Sequence, residues 1–298
     1  MPRFDVTLAG ELNLDLILYG LPDELPPETE LLARDMMLTL GGSSSIVAHN
    51  LAALGSRVGF ISKIGKDQFG EIALQRLAAS GVDVSRVRQD EALKTGLTVI
   101  LQRAKWRNMV TYAGTITEVA YEDLDIEYLC DSKHFHLSSY FLQQKLQPRM
   151  IELFKQMKAA GLTISMDTND DPDATWDSGV RDVMGFVDVF LPNEREARKI
   201  AGSDDLEVAV SRLAEVVPLI VVKMGSEGAM ARRGSERFLC PAAKIDIVDA
   251  VGAGDSFNSG FLSEYVKGTS LVDCLAAGNR AGARSTTCAG GTEAFRKI

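Results

Sequence analysis

The segment Ile247-Val-Asp-Ala-Val-Gly-Ala-Gly-Asp-Ser-Phe-Asn-Ser-Gly260 joins a glycine-rich turn to the start of a helix with periodic apolar residues. Gly252, Ala253 and Gly254 can present consecutive backbone N–H groups at the helix N-terminus, where the helix dipole also favours an anion. Asp255 follows directly, and a carboxylate beside an anion hole is suited to take the proton of a hydroxyl that attacks phosphorus. Alternatively, Asp255 is only the helix N-cap and the glycines form a tight turn. The local pattern favours neither interpretation.

Other phosphate-binding motifs do not fit this segment. The dinucleotide-binding fingerprint requires a third glycine three residues after the second, and that position is Phe257. A P-loop sequence occurs nowhere in the chain. The set of loops typical of protein kinases is also absent.

Predicted strands and helices alternate along most of the chain. The predicted strands are 4–10, 14–19, 58–62, 135–138, 163–167, 187–191 and 219–223, and the predicted helices are 42–55, 68–80, 148–160, 206–216, 255–265 and 271–286. This alternation indicates an α/β fold with a mostly parallel sheet covered by helices on both faces. The β-rich parts of 12–40 and 95–115, including a hairpin connected by 105–108, predict a small separate sheet that forms a lid.

Composition narrows the classes of partner. The 298 residues carry a net charge of −9, so nucleic acid or a membrane surface as the main partner is not expected. Acidic residues interrupt the apolar start of the chain, which argues against a secretory signal. The four cysteines stand far apart without metal-binding spacing, as in a reduced cytoplasmic protein.

Two glycine-rich segments together resemble a known family. The segment containing Asp255 is similar to the C-terminal signature of the ribokinase-like (PfkB) carbohydrate kinases, and Gly41-Gly-Ser-Ser-Ser-Ile-Val-Ala-His-Asn-Leu-Ala-Ala-Leu-Gly55 resembles their N-terminal signature. Further landmarks follow in the family's order at 10–15, 63–67, 167–169, 192–196 and 223–228. The resemblance covers residues 1–298 as a single kinase domain. It implies a three-layer α/β/α sandwich with a small β lid.

The resemblance also implies roles on the nucleotide side. Asp255 would be the catalytic base, and the three residues before it would form the anion hole for ATP. Asn193 and Glu196 resemble the motif that organises Mg²⁺ and phosphate through water. Residues that would line the nucleotide are Lys223, Gly225, Ser226, Gly228, Gly254 and Asn279. Asp249 matches a position that binds a monovalent cation such as K⁺ in some members.

On the acceptor side, Asn13 and Asp15 match a pair that grips substrate hydroxyls, and a carboxylate can accept two hydroxyl hydrogen bonds at once. Gly41 and Gly42 would let the backbone approach the sugar closely. Further candidate substrate-binding residues are Ser45, Arg107 on the lid and Ser139 after the strand at 135–138.

The chain departs from the family pattern at two places. Members commonly carry Asn where this chain has Ile46, so either one of Ser43, Ser44 and Ser45 replaces it or the specificity differs. The branch that includes ketodeoxygluconate kinases usually has an aromatic residue and Arg after its Asp-x-Asn motif, whereas this chain has Asp170-Asp-Pro-Asp173. If these carboxylates crowd the sugar pocket, their repulsion disfavours a sugar acid.

The resulting prediction is an ATP-dependent kinase that phosphorylates a hydroxyl of a small, neutral sugar. A nucleoside kinase of the same fold is the alternative, and a non-catalytic sugar- or nucleotide-binding relative is a third interpretation. The exposed edges of the lid predict either a homodimer formed through the lid or a mobile flap.

Overall fold

The computed structural model describes residues 1–103 and 106–296, and within them the chain forms thirteen strands. In chain order these are β1 Phe4–Ala9, β2 Asn13–Tyr19, β3 Asp35–Gly41, β4 Val58–Gly65, β5 Asp83–Asp90, β6 Leu97–Gln102, β7 Arg107–Tyr112, β8 Ser132–Leu137, β9 Thr163–Met166, β10 Val189–Phe190, β11 Leu219–Lys223, β12 Ala229–Arg233 and β13 Glu236–Cys240. Nine of them make one sheet in the order β13-β12-β11-β10-β9-β8-β1-β4-β5. Its strands are parallel except for β12 and β13, which extend one edge antiparallel.

The described helices cover both faces of this sheet. They are α1 Ser43–Ala53, α2 Gln68–Ala79, α3 Ile126–Cys130, α4 Met150–Ala159, α5 Val180–Met184, α6 Glu194–Ala201, α7 Leu206–Leu213, α8 Ala253–Tyr265 and α9 Leu271–Ser285. One core lies under α1, α2, α8 and α9, and the other lies under α3 to α7. Strand β11 shows the division, because Leu219 and Val221 enter the first core while Ile220 and Val222 enter the second. The predicted three-layer α/β fold is confirmed.

A second, four-stranded sheet has the order β3-β2-β6-β7. One of its faces lies over the main sheet's active end, since Ile17 and Ile100 pack against Val251, just before the turn at Gly252. Leu14 and Leu40 on the opposite face belong to the core beneath α2. The β-rich parts of 12–40 and 95–115 therefore do form a small separate sheet. The predicted connection at 105–108 falls partly on residues 104 and 105, which lie outside the described residues.

The elements that the sequence missed are mostly polar or short. Strand β5 has the sequence Asp-Val-Ser-Arg-Val-Arg-Gln-Asp at a sheet edge, and no residue in it is fully buried, so it lacks the apolar run that marks a central strand. Strand β13 is also an exposed edge. The helix predicted at 148–160 begins as a single 3₁₀ turn at Gln147–Arg149, where Pro148 stands at its start. No helix among residues 1–103 and 106–296 is long and apolar enough to cross a membrane.

The parallel strands bring distant segments to one edge of the main sheet. Their carboxyl ends lead into Gly10 after β1, Ser138 after β8, Asp167 after β9, Pro192 after β10 and Met224 after β11. In open α/β sheets the crevice outside the carboxyl ends of the strands is where ligands bind. The candidate site lies at this edge.

Candidate active site

The glycine-rich turn sets the position of Asp255. Helix α8 begins at Ala253, its N-cap is Gly252, and no side chain caps it. The amide of Ser256 donates the first intrahelical hydrogen bond to the carbonyl of Gly252 at 2.9 Å, so the amides of residues 253–255 lie ahead of that bond. The interpretation of Asp255 as the N-cap is therefore wrong, because the cap lies three residues earlier. The helix also begins two residues before its predicted start.

Gly252 and Gly254 differ in what a side chain would meet. Gly252 has a φ of +70°, and a Cβ there would lie 2.5 Å from the Cα of Gly291. A Cβ on Gly254 would meet nothing closer than the Lys223 Nζ at 3.6 Å, which is an ordinary contact. Only the first glycine is thus required by the protein itself, and the second keeps space free beside the ammonium.

Alanine at these two positions provides a matched pair of variants. Gly252→Ala should lower the free energy of unfolding by about 1–3 kcal/mol, because a side chain is strained at positive φ and overlaps backbone. Gly254→Ala should leave the melting temperature unchanged, since alanine suits a helix's first turn, yet lower turnover about 10²-fold by displacing the phosphate. Thermal melts beside steady-state rates would check both. Loss of stability in Gly254→Ala would contradict the assignment.

Asp255 lies between groups of both charges. One carboxylate oxygen accepts a hydrogen bond from the hydroxyl of Ser43 at the start of α1. Burial raises the pKa of Asp255 to about 6; the Ser43 hydrogen bond and Lys223 oppose the shift, while Asp167 adds to it. The carboxylate is therefore ionised near neutral pH and is far more basic than an ordinary Asp. These are the properties of a general base.

Close to Asp255, a buried ion pair joins the ends of β9 and β11, and a hydrogen bond connects it to helix α8. The Lys223 Nζ contacts the Asp167 Oδ2 at 2.5 Å, and the Asn258 Nδ2 donates to the same oxygen at 2.5 Å. Asp167 is completely buried and the Lys223 side chain is 11% exposed. Burial opposes the charge of Lys223, but the carboxylates of Asp167 and Glu196 raise its pKa overall. The lysine thus stays charged beside Gly254 at the start of α8.

Asn193 and Glu196 form a capping box at the start of α6. The Glu196 carboxylate accepts from both the backbone and the side-chain N–H of Asn193, and Asn193 Oδ1 accepts from the Glu196 amide at 2.9 Å. Glu196 is nonetheless buried, and burial followed by the charge of Asp167 raises its pKa. It is therefore a cap that also adds negative charge to the Asp167–Lys223 cluster.

A cavity of about 690 Å³ opens beside Ala253 and Gly254 at the start of α8. Its lining includes the predicted nucleotide residues Lys223, Gly225, Ser226, Gly228, Ala253, Gly254 and Asn279. Pro241, Ile245, Ile247 and Phe257 give it apolar walls. The Asn279 Nδ2 donates to the Cys240 carbonyl at 2.8 Å, so this side chain also holds the wall of the cavity in place. The volume and lining suit a nucleotide.

The acceptor side is built by Asn13 and Asp15 against Gly41 and Gly42. Strand β2 pairs Asn13 with Gly41, and any Cβ on Gly41 would overlap the Asp15 carboxylate, so glycine is required there. Burial, then the charges of Asp255 and Asp249, raises the pKa of Asp15 to about 7. The Asn13 Oδ1 is buried without a hydrogen-bond partner within the described part of the chain. Both side chains therefore offer oxygens for hydroxyl hydrogens.

A buried carboxylate, Glu11, organises the floor of this region. It accepts hydrogen bonds from the Ser44 amide and hydroxyl, from the Ser139 hydroxyl at 2.8 Å and from the Gln143 Nε2 at 2.7 Å. Ser139 has a φ of +54° and accepts in turn from Asn169, whose φ is +53°. Two strained residues held together at strand ends are typical of a functional site.

Two predicted acceptor residues, Ser45 and Arg107, and the unusual Ile46 have other surroundings than the acceptor pair Asn13 and Asp15. The Ser45 hydroxyl turns back to the carbonyls of Gly41 and Gly42, so its proton is already donated to the backbone. Arg107 opens β7 opposite Gln102, while Asp15 pairs with Thr98 four residues along β6, so the exposed Arg107 lies away from the other site residues. Ile46, in place of the usual Asn, packs beside Gly252 and Gly291.

The carboxylates expected to crowd the sugar pocket are engaged elsewhere. Asp170 is exposed and pairs with Arg195 at 2.7 Å. Asp171 accepts from the amides of Asp173 and Trp176 and so stabilises its own loop. The expectation of crowding was wrong because these hydrogen bonds fold the loop on itself. Negative charge near the acceptor comes instead from Asp15, with Asp255 beside it and Glu11 beneath.

Asp249 connects the four-stranded sheet to the turn before α8. Its carboxylate accepts from the Val251 amide at 3.0 Å, the Gly290 amide at 3.0 Å and the Tyr19 hydroxyl at 3.2 Å. Among the residues that the structure describes, no group of three or more His, Cys, Asp or Glu side chains forms a metal-binding cluster. Asp249 therefore holds the turn before α8 against the loop that contains Gly290.

The sequence alone assigned no role to Glu11, Asp167 or Asn258, and it offered Ser43 only as one of three serines that could replace the usual Asn. Asp167 carried a usable signal, because an acidic residue directly after a buried strand lies at the sheet's active edge. Glu11 and Asn258 carried none, since their partners are distant in sequence: Gln143 for Glu11 and Asp167 for Asn258.

Comparison with known proteins agrees with this geometry. Residues 3–298 match the family model of the pfkB family carbohydrate kinases. A 2-dehydro-3-deoxygluconokinase from Bacillus subtilis (strain 168) is 34% identical over 260 residues, which cover 82% of this chain and 79% of that protein. A cytidine kinase from Thermococcus kodakarensis is 30% identical over 283 residues, covering 92% and 93%.

A solved structure shares the whole architecture. The crystal structure of a probable sugar kinase from Rhizobium etli CFN 42 superimposes with a TM-score of 0.88 at 26% identity, covering 99% of this chain and 97% of the other. The ribokinase-like fold predicted from the two glycine-rich signatures is confirmed. The chain therefore belongs to the pfkB family of carbohydrate kinases and is a phosphotransferase.

Proposed function

We propose that this protein transfers the γ-phosphoryl group of ATP to a hydroxyl of a small, neutral sugar. The observation that carries the proposal is the position of Asp255. Asp255 stands at the start of α8 beside Lys223, and the nucleotide-sized cavity opens at the same end of that helix. It is also close enough to Asp15 for the two carboxylates to repel each other. A base at the boundary of two binding regions is what transfer between two ligands requires.

The residues divide the work between charge and proton transfer. Asp255 takes the acceptor's hydroxyl proton, while the backbone amides of the turn at 252–254 and the Lys223 ammonium stabilise the negative charge of the transferring phosphoryl group. Asn13 and Asp15 hold other acceptor hydroxyls. The resemblance and the intact anion hole both speak against a non-catalytic binding relative.

The carboxylates around Lys223 suit Mg²⁺. Asp167 and Glu196 face the Lys223 ammonium, which leaves an excess of negative charge, and carboxylate oxygens and water are the ligands that Mg²⁺ prefers. Both Glu196 oxygens already accept hydrogen bonds from Asn193, so Glu196 would hold the ion through water. When bound, the ion supplies Lewis-acid stabilisation of charge on the phosphoryl oxygens. We also propose Asp249 as a ligand for K⁺. The three groups that donate hydrogen bonds to its carboxylate would compete with the ion for the same oxygens.

The four-stranded sheet would serve as the lid of a single kinase domain spanning 1–298. The face that carries Leu14 and Leu40 is apolar, and beyond the part packed on the core beneath α2 its Met36, Val110 and Tyr112 are 62%, 61% and 55% exposed. We propose that a second copy of the chain covers this face in a homodimer, because exposed apolar strands are a liability unless covered. All four cysteines are free, which supports a reducing, cytoplasmic location.

A neutral acceptor is favoured over a sugar acid. The acceptor groups closest to Asp255 are themselves acidic or polar, and Arg107 lies away from them. A carboxylate on the substrate would face Asp15 and Asp255 without a compensating cation from Arg107. A preference for a neutral sugar would distinguish this protein from the 2-dehydro-3-deoxygluconokinase relative, whose named substrate is a sugar acid. The cytidine kinase relative keeps a nucleoside acceptor as the second candidate, and the apolar Ile46 favours it slightly.

A panel of acceptors tests the proposal. ADP release is measured with ATP, Mg²⁺ and neutral hexoses, neutral pentoses, 2-keto-3-deoxygluconate and nucleosides. We expect the highest kcat/KM for a neutral sugar, with the sugar acid lower by about tenfold or more, since like-charge contacts cost several kcal/mol. Preferred turnover of 2-keto-3-deoxygluconate would overturn the neutral-acceptor assignment, and a preferred nucleoside would support the second candidate instead.

A further inference from the structure

Three consecutive serines open helix α1, and each has a different partner. Ser44 donates to Glu11 below the acceptor region, and Ser45 returns its hydroxyl to the carbonyls of Gly41 and Gly42. The hydroxyl of Ser43 instead reaches across to the Asp255 Oδ1 on α8. Ser43 is 7% exposed, so little water competes for this contact.

We propose that Ser43 is the positioning residue of the general base: its hydroxyl holds one oxygen of Asp255, so that the other oxygen faces the acceptor hydroxyl. The inference rests on the proposed function of Asp255. It adds that the base is oriented by a residue on a different helix, α1, directly after the Gly41–Gly42 turn that borders the acceptor.

The chemistry of the step explains why such a partner is useful. The acceptor oxygen forms a bond to the γ-phosphorus, its proton passes to the free Asp255 oxygen, and the bond from that phosphorus to the β–γ bridging oxygen breaks. The electron pair of the broken bond leaves with ADP, and Ser43 keeps its own proton throughout. A hydroxyl that donates to a carboxylate favours the ionised form, which is the form that accepts the proton.

Ser43 also acts against the surrounding negative charge. Carboxylates face Asp255 from Asp15 on β2, Glu11 after β1, Asp167 after β9 and Glu196 on α6, while Lys223 on β11 provides the opposite charge. The hydrogen bond from Ser43 opposes the rise in the Asp255 pKa caused by burial and by these carboxylates. Without it, Asp255 would hold its proton to a higher pH and would be free to rotate.

The test compares Ser43→Ala with Ser43→Thr and with Ser259→Ala as the matched control. The Ser259 hydroxyl donates to the backbone carbonyl of Asp255 at 2.8 Å, so this variant removes a buried hydroxyl next to the same residue without touching its carboxylate. The acid limb of kcat/KM should move up by about one pH unit in Ser43→Ala, as expected for the loss of one hydrogen bond to a charged group. Ser43→Thr and Ser259→Ala should keep the wild-type limb, and the KM for ATP should not change.

A second measurement does not depend on turnover. In ¹³C-Asp-labelled protein, the carboxyl resonance that disappears in Asp255→Asn reports the titration of Asp255, and it should move to higher pH in Ser43→Ala. An unmoved resonance overturns the inference even if no acceptor is found, whereas an inactive wild-type enzyme with a shifted resonance contradicts only the proposed function. A raised acceptor KM with an unmoved acid limb would make Ser43 a substrate contact and also overturn the inference. If Ser43→Ala does not fold, Ser43→Cys, with its weaker donor, should shift the resonance in the same direction by less.

Discussion

Asp255→Asn should be folded and able to bind ATP, with turnover lowered by about 10²–10⁴-fold, the usual contribution of a general base. The amide keeps the size of the side chain, and its oxygen can still accept the hydrogen bond from Ser43. It cannot take a proton from the acceptor. Binding isotherms for ATP measured beside the rate of ADP release would separate the two effects.

The pH dependence of stability should also differ between Asp255→Asn and the wild type. Because the folded-state pKa of Asp255 is raised to about 6 from 3.8, ionising it costs stability, and the wild type loses that stability as the pH rises through this window. The Asn variant lacks this loss, so at pH 8 its melting temperature should equal or exceed that of the wild type. The exposed Asp170→Asn is the control and should leave turnover unchanged. A large fall in melting temperature for Asp255→Asn would make the residue structural.

Lys223→Met should be strongly destabilised, by about 3–5 kcal/mol, because it leaves the buried Asp167 without its cation. It should also weaken ATP binding, since the ammonium lies beside Gly254 in the anion hole. Urea unfolding and ATP titration of the same preparation measure the two losses. An unchanged unfolding midpoint would mean that Asn258 alone suffices to hold Asp167.

The double variant Lys223→Met/Asp167→Asn separates stability from catalysis. Removing both charges leaves no uncompensated carboxylate, so most of the lost stability should return. Turnover should stay low, because the charge next to the phosphate is still missing. Recovery of turnover in the double variant would exclude Lys223 from phosphoryl transfer. The double variant also provides the test of Lys223 if the single variant does not fold.

The parts of the candidate site that lie within short segments of the chain could be predicted from the sequence. The turn at Gly252, Asp255 three residues after it and the glycines at 41 and 42 lie within short segments whose geometry follows from φ angles and helix ends. The buried central strands were also predictable, because an uninterrupted apolar run such as β11 indicates a strand covered on both faces.

The rest depends on contacts between distant segments. Asp170 and Asp171 were expected to crowd the sugar pocket with charge, but hydrogen bonds within the loop and to Arg195 engage them elsewhere. The sequence could not distinguish among Ser43, Ser44 and Ser45 as substitutes for the missing Asn, and only the structure shows that Ser43 meets Asp255 across more than 200 positions of sequence. Edge strand β5, rich in Arg and Asp, has no hydrophobic pattern that could identify it.

Phosphorus-31 NMR of the reaction tests the central claim most directly, because it observes the transferred group itself. Wild-type protein is incubated with ATP, Mg²⁺ and the preferred neutral sugar, with Asp255→Asn as the parallel sample. The account predicts that the γ-phosphate signal of ATP is replaced by a sugar phosphomonoester and ADP in the wild type and persists in the variant. Inorganic phosphate as the sole new product, or an equal yield of phosphomonoester from Asp255→Asn, would contradict it.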